Sequence, residues 1–144
     1  MKAAAYPYFD VPFAAYAHRG GALYPPNLNR ENTRHAFQQA VDLGYRYLET
    51  DVHATADGVL VAFHDDVLDR VTDRTGPIAR LPYVEVARAR IGGRDPIPRL
   101  SELLTAFPEA RFNIDAKSDT AVDLLAAAIA EHEAYERVLS LIHI

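Results

Sequence analysis

Cysteine is absent from the 144 residues. That excludes disulfides, a thiolate zinc site and a cysteine nucleophile, and it leaves the redox compartment open. No run of about 18 apolar residues occurs, so no transmembrane helix and no stable membrane insertion is expected. The start, Met1 to Phe13, has one lysine and two prolines but no continuous apolar stretch of the kind a signal peptide carries, and a cytoplasmic location is the default expectation. Positive charge is also short: the formal net charge of −5 argues against a nucleic-acid backbone as the main partner. A small phosphorylated substrate needs only local positive charge and stays open, as does the oligomeric state. There is no internal repeat and no low-complexity tract. What remains is 49% hydrophobic and 24% charged, enough for a packed core in a chain the size of one ordinary domain.

Periodicity and punctuation give the element order. Residues 1–14 read as an irregular arm rich in aromatics and proline. Tyr16 to Arg19 reads as a short strand broken by Gly20-Gly21, and residues 22–30, with Pro25-Pro26, as loop. Asn32 or Thr33 caps an expected helix to about Leu43, whose apolar positions Ala36, Phe37, Ala40, Val41 and Leu43 share one face, with Gly44 closing it. A strand at about 46–53 follows, then turn residues Ala56-Asp57-Gly58. Val59 to His64 is a continuous apolar run, as expected of a parallel strand covered on both faces. The linking segment of about five residues is, however, too short for an ordinary parallel crossover, which makes this junction the weakest part of a purely parallel reading. Residues 65–80 read as a long charged loop and Val84 to Arg90 as a short helix. A helix at about 100–107, capped by Ser101 or the residue before it, a strand at 111–116, a helix at 120–133 and a strand from Val138 complete the series. The class is α/β.

The chemistry concentrates at the ends of the expected strands. In Tyr47-Leu48-Glu49-Thr50-Asp51-Val52-His53, alternation puts Glu49, Asp51 and His53 on one side. Two carboxylates at such spacing suit a hard divalent cation. The alternative is a solvated strand end, but Tyr47, Leu48 and Val52 mark a buried strand, where unpaired carboxylates are costly. Asp115 adds a third carboxylate on the face shared by Asn113 and Lys117. His18 precedes Arg19 and a glycine pair that lets a ligand approach the backbone, and Arg19 could contact phosphate oxygens. His64 is followed by Asp65 and Asp66, which could orient or charge it. Either histidine alone would be an ordinary surface residue; two strand-end histidines flanking carboxylates suggest a metal-dependent hydrolase acting on a phosphodiester. His35, His53 and His132 show no comparable setting. Asp69, Arg70, Asp73 and Arg74 read as a solvated loop.

The residues also match a known family in order and spacing. His18-Arg19-Gly20, Glu31-Asn32-Thr33, Glu49-x-Asp51-Val52, Asp57-Gly58, His64-Asp65, Arg70-x-Thr72, Gly76, Ile97-Pro98-x-Leu100-x-Glu102-Leu103-Leu104 and Asn113-Ile114-Asp115-x-Lys117 resemble the glycerophosphodiester phosphodiesterases over about residues 15–117. The resemblance implies a (β/α)8 TIM-type barrel and hydrolysis of a small-molecule glycerophosphodiester to sn-glycerol 3-phosphate and an alcohol. It implies a divalent cation, Mg²⁺ or Ca²⁺, on Glu49, Asp51 and Asp115, and makes His18 and His64 general acid and base. Arg19 and Lys117 would bind phosphate, with Glu31 as a supporting site residue. The attacking group in the family can be the substrate's own glycerol hydroxyl, giving a cyclic phosphate that water then opens. Two departures stand out: Asp115 where many members carry Glu, and a longer loop from Ala22 to Arg30. A phospholipase D-like or phosphoinositide-cleaving relative on the same scaffold is the alternative enzyme, and a non-catalytic truncated fragment the alternative outside enzymes.

A barrel of this kind takes about 250 residues. The 144 residues supply four to five strands, so the chain reads as the N-terminal part of a single such domain. The last six residues, Leu139-Ser140-Leu141-Ile142-His143-Ile144, are also what the transposon-end sequence used in DNA library preparation encodes (CTG TCT CTT ATA CAC ATC). Residues 139–144 are therefore suspected to be a non-native tail. A genuine apolar fifth strand is the alternative, and His143 is set aside as a ligand.

Overall fold

The computed structural model describes residues 6–142. Strand β1, Tyr16–Ala17, is only two residues long. The expected strand end at His18 and Arg19 is instead a 3-10 turn over His18–Gly20, in which Arg19 takes the left-handed conformation (φ 50°, ψ 38°). Helix α1, Arg34–Asp42, starts at Thr33, whose hydroxyl accepts from the Ala36 N–H, and it buries Ala36, Phe37 and Ala40. Strand β2, Tyr47–Ala54, is the longest and almost wholly buried.

Strand β3, Leu60–Ala62, pairs antiparallel with β2 through Val52–Ala62, His53–Val61 and Ala54–Leu60. The expectation of a parallel third strand is thus corrected. Residues 55–59 make a tight hairpin: Thr55 N–H donates to Val59 O (2.9 Å), and Val59 N–H donates back to the Thr55 hydroxyl (3.0 Å). Five residues cannot carry a parallel crossover. The apolar run is still covered on both faces, because Leu60 and Ala62 enter one core cluster while Val61 and Phe63 enter another.

Residues 63–82 form an irregular excursion ending in a 3-10 turn at Ile78–Arg80. A short helix α2, Tyr83–Val86, leads to a two-stranded ribbon of β4, Arg90–Ile91, and β5, Asp95–Pro96, which the sequence pattern did not announce. Helix α3, Leu100–Ala106, is capped one position earlier than expected: Arg99 holds the cap position, and its N–H donates to Glu102 Oε2 (2.8 Å). Strand β6, Arg111–Ala116, helix α4, Asp119–Glu131, with its Ser118 cap, and strand β7, Val138–Ile142, follow.

The parallel sheet runs β1-β2-β6-β7. Strand β6 occupies one edge of β2, so β1 and β3 share the other, β1 at its start and β3 at its end. Phe37, Leu48, Leu103, Leu104, Phe112, Ile114 and Leu125 pack the helices against one face of this sheet. Each such side chain, fully buried, contributes about 1.5–3 kcal/mol, which fixes which face the helices cover. The opposite face carries Glu49, Asp51, Asn113 and Asp115. The arm closes the N-terminal ends of the strands: the Tyr47 hydroxyl lies 2.7 Å from Asp10 Oδ1 and 3.1 Å from Tyr8 O, and Arg111 Nη1 donates to Pro7 O (2.9 Å). The architecture is α/β, with a mostly parallel half-barrel sheet and helices on its outer face. Among the described residues no helix is long and apolar enough to cross a membrane.

The expected strand at Val138 is present, and pairing with β6 requires only an extended backbone from residues of any origin. Residues 143 and 144 of the suspected tail, including His143, lie outside the described residues.

Candidate functional site

The polar face is built by register. Glu49 pairs with Asn113 and Asp51 with Asp115 across β2 and β6. Neighbouring strands lie about 4.8 Å apart, so the carboxylates are forced together by the same backbone bonds that build the sheet. Asp51 is 3% exposed, and a carboxylate so buried must be paired. Its Oδ1 lies 2.9 Å from Lys117 Nζ, and its Oδ2 accepts from Asn32 Nδ2 (3.3 Å). Lys117 Nζ also donates to Asp115 Oδ2 (2.6 Å). Burial works against the Lys117 ammonium, but the Asp115 and Asp51 carboxylates outweigh it and hold its pKa above the ordinary value.

Glu49 is in the opposite situation. Burial, the largest influence, pushes its pKa up, and the Asp51 charge adds to this. The Arg19 backbone N–H (2.8 Å from Oε2) and the charges of His18 and Arg19 offset only part. The left-handed Arg19 delivers that N–H, which gives the strained residue a role in the site. His18 Nε2 is 3.9 Å from Glu49 Oε2 and its side chain is largely exposed. Arg19 Nε is buried, lies 3.7 Å from Asp51 Oδ2 and makes no hydrogen bond, leaving a cationic donor aimed into the site.

His64 reaches this neighbourhood because β3 is antiparallel. The strand turns back along β2, Phe63 N–H donates to Asp51 O (3.0 Å), and His64 is the next residue. His64 Nδ1 is 2.7 Å from Asp65 Oδ1. His53, which had no recognisable setting in the sequence, supports it from behind: its Nε2 lies 3.0 Å from the His64 carbonyl and so donates to it. Burial pushes the His53 pKa down, so the ring is kept neutral in that role.

Glu31, from the loop before α1, accepts from Arg19 Nη1 (3.3 Å) and from both Arg70 Nη atoms (3.1 and 2.7 Å). Burial alone would raise its pKa, but Arg70 and Arg19 hold it below the ordinary carboxylate value. The expected loop is present, with Asp69, Arg70, Asp73 and Arg74 exposed, but it is tied down by specific contacts. Arg70 joins Glu31 to Asp65, Asp69 Oδ2 accepts from Gly76 N–H (2.9 Å), and Asp73 Oδ1 accepts from Arg90 N–H (2.7 Å). Spacing could not show these contacts, because their partners are far apart in sequence.

Thus His18, Arg19, Glu31, Glu49, Asp51, Asp115 and Lys117 form one contiguous polar network, and His64 is joined to it through Asp65 and Arg70. The network's oxygen donors suit a hard cation in kind but, among the described residues, do not converge on one point. Three carboxylates, with the buried, unbonded Asn113 Oδ1 beside Glu49, make the oxygen donor set a hard divalent cation takes. Among the described residues no three acidic or histidine side chains converge on one point, and the Lys117 ammonium stands between Asp51 and Asp115.

Comparison with known proteins agrees over nearly the whole chain. The profile of the Glycerophosphoryl diester phosphodiesterase family matches residues 18–143. The "Probable glycerophosphodiester phosphodiesterase 2" of Mycobacterium tuberculosis is 42% identical over 125 residues, covering 87% of this chain and 46% of that protein. A crystal structure of glycerophosphodiester phosphodiesterase from Agrobacterium tumefaciens superposes with a TM-score of 0.82 at 29% identity, over 91% of this chain and 58% of that one. An Oleispira antarctica phosphodiesterase in complex with the product sn-glycerol-3-phosphate superposes with a TM-score of 0.77 at 26% identity, over 90% and 56%. The chain spans about half the length of the relatives it matches.

Proposed function

This chain belongs to the glycerophosphoryl diester phosphodiesterase family, and we propose that the protein hydrolyses glycerophosphodiesters to sn-glycerol 3-phosphate and an alcohol, in the cytoplasm, with a divalent cation. The observation that carries this is the in-register pair Asp51–Asp115 with Glu49 beside it, toward the C-terminal end of the parallel β2–β6 pairing, with His18, Arg19 and Lys117 against these carboxylates.

Glu49, Asp51 and Asp115 would hold Mg²⁺ or Ca²⁺. A bound cation supplies Lewis-acid charge at the phosphoryl oxygens. The remaining work falls to the protein's own side chains. The Arg19 guanidinium and the Lys117 ammonium bind the phosphate and offset charge that builds on its oxygens. Glu31 keeps the Arg19 guanidinium in place. Of His18 and His64, one takes the proton from the attacking oxygen and the other gives a proton to the leaving alkoxide.

The test is hydrolysis of glycerophosphocholine with Mg²⁺ or Ca²⁺, then with chelator, and in His18→Ala. Loss of at least about a hundredfold in each case is expected; turnover that survives chelation or the substitution would sink the mechanism. The phospholipase D-like alternative draws on one feature: Leu23 (88% exposed) and Leu28 (52%) stand out on the loop that leaves His18-Arg19. Preference for lysophosphatidylcholine over glycerophosphocholine in the same assay would favour it.

A further inference from the structure

Arg70 is a strongly tethered guanidinium near the site that the mechanism above leaves without a part. Its Nε and Nη2 donate to the two oxygens of Asp65 (2.7 and 2.9 Å). Its Nη1 and Nη2 donate to the two oxygens of Glu31 (3.1 and 2.7 Å). A solitary exposed ion pair would be worth little. This is a planar fork engaged with two carboxylates at once, a geometry available to arginine and not to lysine.

Both carboxylates lead to the reacting groups. Asp65 Oδ1 is 2.7 Å from His64 Nδ1, and Arg70 holds the Asp65 carboxyl well below the usual carboxylate range. An ionised carboxylate can only accept, so Nδ1 is the protonated nitrogen, and Nε2 is left to take or give a proton. Glu31 accepts in turn from Arg19, the neighbour of His18.

We propose that Arg70 is a positioning residue: a clamp that, through Asp65, fixes His64 in its Nδ1–H form and ties it to the Arg19–Glu31 side of the site. The consequence for turnover rests on the role given to His64 above; the clamp itself does not.

The test is therefore made first without turnover. Long-range ¹H–¹⁵N correlation of the ¹⁵N-histidine-labelled full chain, at a pH where His64 is neutral, reads its tautomer, with the signal assigned by its loss in His64→Gln. The Nδ1–H form is expected to dominate. Arg70→Gln should shift the ratio at least about threefold toward Nε2–H, and Glu31→Gln, which removes half of the clamp's anchorage, should shift it less in the same direction. A ratio unchanged in folded Arg70→Gln overturns the proposal, as does a wild-type His64 that is mainly Nε2–H. If Arg70→Gln does not fold, an unchanged ratio in Glu31→Gln overturns it. In the hydrolysis assay, Arg70→Gln should lower kcat roughly tenfold, part of the usual general acid–base contribution, with KM within about twofold. Absence of turnover in the wild type would count against the function proposed above and leave the tautomer result to decide the clamp.

Discussion

At the scale of single residues the site is a problem in charge compensation. Asp51 is buried with Lys117 and Asn32 on its oxygens, Glu31 and Asp65 share one guanidinium, and Glu49 is the carboxylate left least compensated. These differences make the pH response predictable. Arg70, and then His64, depress the folded-state pKa of Asp65 below its unfolded value of about 3.9. A depressed acid stabilises the fold at pH above its unfolded pKa, and that stability is lost as pH falls through the folded pKa. Asp65→Asn should therefore lower Tm at pH 7, and the gap to wild type should close as the pH is taken below about 4. Thermal melts across that range check it; a gap that widens in acid would contradict the sign. Most of these residues could be picked from the sequence because the strand period puts Glu49 with Asp51 and Asp115 with Lys117. Arg70 stood out only within the family pattern Arg70-x-Thr72, and its contacts could not be read, since its partners lie 5 and 39 positions away and no periodicity encodes such pairs.

At the scale of elements the decisive pieces are two turns. The hairpin at residues 55–59 reverses β3 and returns His64 to β2. The turn after β1 aims the Arg19 N–H at Glu49 and needs Gly20 behind it. Gly20 sits at φ +76°, and a Cβ there would meet Ala36 Cβ at 3.0 Å and Phe37 N at 3.1 Å, so the turn and the start of α1 touch backbone to backbone. Gly20→Ala should cost about 2 kcal/mol, from the left-handed backbone and the overpacking together. It should also weaken phosphate binding more than a surface change of equal stability, because Arg19 moves with the turn. Chemical denaturation and KM for glycerophosphocholine measure the two effects. Helices α1, α3 and α4 were legible to within a residue or two, since each shows an apolar stripe and a cap. Strand direction was not: an apolar run buried on both faces looks the same in either orientation, and only the short linker hinted at reversal.

At the scale of the whole molecule, the four parallel strands make an open sheet with β1 and β7 at its two ends. Closure of such a sheet into a barrel takes eight strands and about 250 residues. We propose that residues 1–138 are the N-terminal part of a longer barrel domain and that residues 139–144 are foreign to it. Sequencing the source locus past the codon for Val138 tests this. A frame that continues with different residues for about a hundred codons is expected; a stop directly after Ile144 would refute it.

Composition, period and motif order by themselves determined the α/β class, helices α1, α3 and α4 and the family, and they singled out most of the side chains proposed for the site; the helix expected at Val84 to Arg90 is only Tyr83–Val86, because Arg90 enters a strand. They could do so because a strand's alternation and a helix's stripe are local properties, and because Glu49-x-Asp51 lies within one strand and Asp115-x-Lys117 spans only the end of another. The tertiary structure alone decided that Asp51 faces Asp115 in register, that Lys117 stands between them, that an antiparallel hairpin brings back His64, and that Arg70 joins Glu31 to Asp65. Each of these depends on residues remote in sequence meeting across strands or loops, and register and ion pairing at that range are fixed only when the core packs.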